Sequence, residues 1–211
     1  MTYHDLKSYK QAEAIHDFTV EFCKQYISPK SRTIDQMEQA ARSGKQNIAE
    51  GCSVSKTSPK NELFLLGVAR GSLKELLEDY NDYLRQHDLK IWPKDDARTV
   101  ALRRLPYMPD RSYGSDKSDR TDRVGMTYMT YKTYINDAES ACNTMVTLIN
   151  QTVYLLDQQI AAVKKQMGDR GVVLETQEQK IRKMWEDNKK KSADLDRRIR
   201  EILEKARPWE K

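Results

Sequence analysis

Apolar residues recur along this chain three and four positions apart, the period of a helix that buries one side. The first stripe is Ala12, Ile15, Phe18, Phe22 and Tyr26. Ser8 and Gln11 precede it in capping-box spacing and Pro29 follows, so the pattern predicts a helix over about 9–27. A second helix is expected from a cap at Ser31 or Thr33 to about Cys52. Ser58 then stands as a cap with Pro59 at the first helical position, where a missing N–H costs nothing. Leu63, Leu66, Leu73, Leu76, Leu77, Tyr80 and Leu84 carry that third helix to about residue 87. Pro93, Pro106, Pro109, Gly114 and Gly125 break the pattern over 88–125, which reads as a long crossover holding a short helix near 95–104. A fourth helix is predicted over about 127–167, carrying Tyr131, Ile135, Cys142, Met145, Ile149, Leu156 and Val163 and stopped by Gly168 and Gly171.

The periodicity thus predicts an all-α fold, an antiparallel four-helix bundle over 1–168, with a helical extension over 169–211. In that extension Leu174, Ile181, Asn188, Leu195 and Ile202 repeat every seven residues. Glu178, Trp185, Ser192, Ile199 and Ala206 lie four further on. Two such columns make a narrow coiled-coil-like seam, for which both an interchain pairing and a fold-back onto the bundle are open.

The second helix departs from an ordinary core pattern. Ala40, Ser43, Gly44, Asn47, Glu50 and Gly51 share one broad face, so small and polar groups stand where large apolar ones are usual. Each glycine disfavours a helix interior by roughly 1 kcal/mol relative to alanine, which points to close approach by a neighbour at Gly44 and Gly51. The third helix answers with Gly67 and Gly71 four apart, followed by Ser72 and Glu75. Ser43, Asn47, Glu50, Ser72 and Glu75 are expected to form a satisfied polar network that fixes helix pairing and register.

Composition supports helix over sheet: charged residues make up 33% of the chain, with only 8 glycines and 6 prolines. Mean hydropathy is −0.85. No apolar run is long enough to span a membrane, the first residues lack the apolar core of a signal peptide, and Cys23, Cys52 and Cys142 read as reduced small hydrophobes, so a cytoplasmic protein is expected. The net charge of +5 is unevenly spread. Residues 1–87 hold 12 basic and 12 acidic groups, whereas 170–211 hold 13 and 9. The densest basic cluster is Lys189, Lys190 and Lys191 with Arg197, Arg198 and Arg200, a pattern that suits either a polyanion or a solvated coiled-coil face.

Enzymatic chemistry finds little support. Glu13 and His16 form one E-x-x-H unit, but a di-iron bundle needs a second and two more inward glutamates. The chain has three histidines, no phosphate-binding glycine loop and no paired C-x-x-C, so no catalytic residue, metal, cofactor or small-molecule substrate is expected. Tyr128, Tyr131 and Tyr134 interleave with Thr127, Thr130 and Thr133 at period three, read here as a core or subunit-interface stripe on the fourth helix.

With these motifs placed, the chain resembles the four-helix-bundle family that includes proteins encoded in 23S ribosomal RNA intervening sequences and the accessory variability determinants of diversity-generating retroelements. The resemblance rests on Tyr9, Gln11 and Ala12, on Gln36, Ala40, Ala41, Ser43, Asn47, Ile48, Ala49, Glu50 and Gly51, and on Ala69, Gly71, Ser72, Leu73, Glu75 and Leu76. The part after Gly168 looks like the suffix found on one branch. This resemblance implies a homo-oligomer, a pentameric barrel, with no known enzymatic activity. For the retroelement members it further implies binding to RNA and to a reverse transcriptase through a basic surface. Family members often carry basic residues just before the paired alanines, where this chain has Glu38 and Gln39. Arg42, Lys45, Arg70 and Lys74 are the bundle positions best suited to an RNA contact. A purely protein-binding oligomeric adaptor, with the suffix as docking element, is the alternative.

Overall fold

A computed structural model describes residues 2–105 and 131–169, together with 185, 186, 189, 194 and 197–199. The chain divides into two compact units, Met1–Gln166 and Met167–Lys211. The helices are α1 (Lys7–Tyr26), α2 (Thr33–Val54), α3 (Pro59–Gln86), α4 (Ala97–Arg104) and α5 (Ala138–Asp169), with 3-10 turns at Tyr3–Asp5 and Lys132–Asn136. Among the described residues there is no strand, and the fold is an all-α bundle.

The predicted stripes form the core. Ile15, Phe18, Phe22, Ile48, Leu73, Leu76, Tyr80, Leu84, Met145 and Leu156 are buried, each contributing roughly 1.5–3 kcal/mol of transfer free energy. Side-chain pairs fix the helix directions. Ser43 meets Ser72 at 2.9 Å, while Gly51, just over two turns further along, faces Leu65 and Glu62, so α2 and α3 run antiparallel. Along α1 and α5, Ser8 Oγ donates to Gln159 (3.0 Å). Thr152 Oγ1 lies 3.1 Å from the Gln11 side chain, and the Tyr26 hydroxyl donates to the Ile135 carbonyl. These two helices are antiparallel as well.

Several local features differ from the sequence-based expectations. Ser8 and Gln11 do not cap α1, which begins at Lys7 with Leu6 at its cap and no side-chain cap bond. Both are buried, and both bond to α5 instead, because a hydrogen-bonded partner is what a buried polar group requires. Neither Ser31 nor Thr33 occupies the cap of α2, which is Arg32 with no side-chain cap bond; Ser31 instead accepts the Thr33 N–H at 3.2 Å across that residue, while Ser58 caps α3 by accepting from Asn61 N–H at 3.4 Å. The fourth long helix starts at Ala138, not near Thr127. Asp137 adopts an extended conformation, accepts the Ser140 N–H at 2.7 Å and so caps α5. The tyrosine and threonine spacing of three is realised in part as a 3-10 turn, whose own repeat is three residues. Tyr131 is buried there, and Tyr128, Thr127 and Thr130 lie outside the described residues.

The end of α3 carries a tight stop. Asp88 has φ of 52°, the left-handed conformation usual for glycine. The N–H of Leu89 returns to the Leu84 carbonyl at 2.9 Å and that of Asp88 to Arg85 at 3.5 Å, closing a Schellman motif. Within the core, the Tyr80 hydroxyl donates to Thr19 Oγ1 at 3.0 Å, which in turn donates to the Ile15 carbonyl at 2.7 Å. Burial raises the Tyr80 phenol well above its ordinary value, so it stays a neutral donor.

Candidate partner-binding site on the second and third helices

The small-residue face of α2 separates into a buried part and an exposed part. Ala40, Ala41, Gly44 and Gly51 are buried. At Gly44 an added Cβ would lie 2.8 Å from Leu73 Cδ2 and 2.9 Å from Cγ, so the absence of a side chain is required by a leucine of α3 rather than by its backbone. At Gly51 the same atom would sit 3.5 Å from Leu65 Cβ and 3.6 Å from the Glu62 carbonyl, ordinary contact distances. The polar network is smaller than predicted. Ser43 and Ser72 share a hydrogen bond, and Asn47 Nδ2 donates to the Ser43 carbonyl (2.8 Å) and hydroxyl (3.2 Å). Glu50 and Glu75 are exposed and belong to neither contact, since nothing in the interface would offset the desolvation of a carboxylate.

Gly67 and Gly71 correct the expectation of close packing within the subunit. Both are exposed, and among the described residues an added Cβ at either would meet nothing within 4 Å. They continue a line on α3 that begins with Phe64, which is 69% exposed. Residues 64, 67 and 71 follow the helical spacing of three and four, so this line is a second stripe, rotated away from the leucine stripe that fills the core. That spacing was the signal for Phe64 in the sequence, and the glycines obscured it.

The nominated cations fare differently. Arg42 and Lys74 are exposed. Arg70 Nε donates to Asp157 of α5, and this pair, about 35% and 45% exposed, ties α3 to α5. Lys45 Nζ lies 3.5 Å from His16 Nδ1, with Asp17 on the same ring nitrogen at 3.3 Å. No sequence spacing signals the Arg70–Asp157 pair, because its partners are distant along the chain. Lower on α3 the surface turns acidic. Burial, with Asp82 and Glu75 nearby, raises the Asp79 carboxyl above its ordinary value. A phosphate backbone gains nothing there.

In the second unit Lys189 is helical and exposed. Arg197 and Arg198 both pair with Asp194, Arg198 at 3.1 Å. Lys190 and Lys191 lie outside the described residues. Two positions of the predicted seam, Trp185 and Ile199, are 72% and 45% exposed.

Burial favours the neutral thiol at all three cysteines. Cys23, Cys52 and Cys142 are free thiols. Burial pushes Cys23 up to about 12 and raises Cys142 further, far from the thiolate that nucleophilic or metal chemistry needs. Among the described residues no group of three or more His, Cys, Asp or Glu side chains is placed to hold a metal ion. Among the same residues no helix is long and apolar enough to cross a membrane. No protein-family model matches the chain, nor does any curated protein or any solved structure.

Proposed function

We propose that this protein is a non-enzymatic, self-assembling helical scaffold of the cytoplasm, an accessory to an RNA-handling partner such as a reverse transcriptase. The observation that carries the scaffold reading is the open line of Phe64, Gly67 and Gly71 on α3. Glycines disfavour a helix, and no neighbour among the described residues of the subunit requires them, so a second protein surface supplies the reason for a smooth face. An aromatic ring beside it provides the apolar anchor that protein interfaces favour. The exposed Trp185 and Ile199 of the suffix support the same reading. The resemblance supplies the pentamer and the RNA-handling partner.

Direct RNA binding rests on Arg42, Lys74 and the suffix, because Arg70 is engaged by Asp157 and Lys45 is held at His16. The acidic lower part of α3 favours the second reading, a purely protein-binding adaptor. Light scattering on the full chain tests assembly: a mass several times the 24.6 kDa subunit is expected, reduced towards it by Phe64→Glu. A wild-type monomer refutes the scaffold. Gel-shift titration with structured RNA then separates the two readings. Affinity weaker than about 10⁻⁴ M at moderate salt, the level of loose non-specific binding, removes RNA and leaves the adaptor.

A further inference from the structure

Beyond α3 the chain turns back along α5 in a segment, 89–105, whose attachment differs in kind from the rest of the bundle. Only Trp92, Thr99 and Leu102 of its residues are buried. Among the described residues its other attachments to α5 are polar, most of them side chains of α5 reading the segment's backbone. Asn143 Oδ1 accepts the Trp92 N–H at 2.7 Å and its Nδ2 donates to the Lys90 carbonyl at 2.8 Å. Glu139 accepts from the Trp92 indole at 2.9 Å and from the Lys90 N–H at 3.3 Å. Gln151 donates to the Arg103 carbonyl at 3.0 Å. The Arg98 guanidinium covers the outer face of the indole at 3.9 Å and is itself held by Asp96.

Side-chain to backbone bonds of this kind are exchanged for water with little net change, whereas the leucine and aromatic contacts of α1, α2 and α3 are not. Elements with few buried apolar contacts open at lower free energy than the core, as contiguous units. We infer that 89–105 is a detachable strap: it releases from α5 as one unit while the bundle stays folded, and Asn143 and Glu139 form its latch. Release uncovers the Glu139–Asn143 edge of α5, a surface shaped to hold an extended backbone and an indole.

Native-state hydrogen exchange on the full chain tests this. The amides of Trp92 and Val100 are expected to exchange at least about tenfold faster than those of Ile48 and Leu73, through an opening that denaturant hardly accelerates. In a Trp185→Phe, Trp209→Phe background, Asn143→Ala is expected to raise acrylamide quenching of Trp92 severalfold while protection in α1 to α3 is retained. The strap is integral to the core, and the inference wrong, if the strap amides are protected as strongly as Leu73. The same conclusion follows if Asn143→Ala fails to fold or lowers protection throughout α1 to α3.

Discussion

Alanine placed at Gly44 and at Gly71 separates two glycines that the sequence presents alike. Both lie inside helices, so each substitution gains roughly 0.8–1 kcal/mol of helix propensity. At Gly71 no described atom of the subunit opposes that gain, because the new methyl meets none within 4 Å. At Gly44 the methyl arrives 2.8–2.9 Å from Leu73, a residue with no exposed surface, so the leucine or the helix must shift. Overpacking of a close-packed core costs about 1–3 kcal/mol. Gly71→Ala should therefore stabilise the subunit by up to about 1 kcal/mol, and Gly44→Ala should leave it unchanged or about 2 kcal/mol weaker. The propensity gain cancels in the comparison, and the difference of about 1–3 kcal/mol isolates the contact with Leu73. Urea unfolding followed by circular dichroism at one protein concentration measures both, with light scattering to show whether assembly has changed, since association couples to stability. Equal stabilisation by the two alanines would refute the packing account. Leucine is the harsher probe: at Gly44 it should unfold the protein, whereas at Gly71 the fold should persist and any loss should fall on assembly.

Three further outcomes follow from the geometry. Asp88→Gly removes the strain of a side chain in the left-handed conformation and should raise the urea midpoint, worth about 0.5–1 kcal/mol. Thr19→Val takes the acceptor from the buried Tyr80 hydroxyl and should cost about 1–3 kcal/mol, more than Tyr80→Phe at about 0.5–1.5 kcal/mol, because Thr19 keeps the Ile15 carbonyl in the latter. Asp79 binds its proton more tightly in the folded chain than in the unfolded one, chiefly through burial. Its stabilising effect is therefore present below the unfolded carboxyl value and lost as pH rises through the higher folded one. Asp79→Asn should unfold later than wild type at neutral pH, with the gap closing as pH falls through the raised folded value to the ordinary carboxylate range; a gap independent of pH would exclude this account.

The long elements were legible because their stripes are filled by large residues at one period: Ile15, Phe18 and Phe22 on α1, and Leu66, Leu73, Leu76, Tyr80 and Leu84 on α3, all turned inward. Short polar residues were harder to read, since one residue type serves several geometries. Ser8 and Gln11 had the spacing of a cap and became contacts to α5. Asp137 caps α5 within a run of threonines and tyrosines that hides the break. The same limit applies at the candidate site. Ser43, Asn47 and Ser72 meet on the face their spacing predicts, but glycine carries no side chain from which to infer a direction, so only their surroundings tell Gly44 and Gly71 apart. Which cations remain available depends on partners far away in sequence, as Asp157 is from Arg70.

The contact of Ser8 and Gln11 with α5 also bears on synthesis. Residues 152 and 159 leave the ribosome long after α1, α2 and α3 can pair with one another. During that interval this part of the waiting surface of α1 is polar and can be hydrated, where an unbroken apolar stripe would invite association with other unfinished chains. A nascent three-helix intermediate of this protein is thereby given a wettable seam at the place where its last helix will dock.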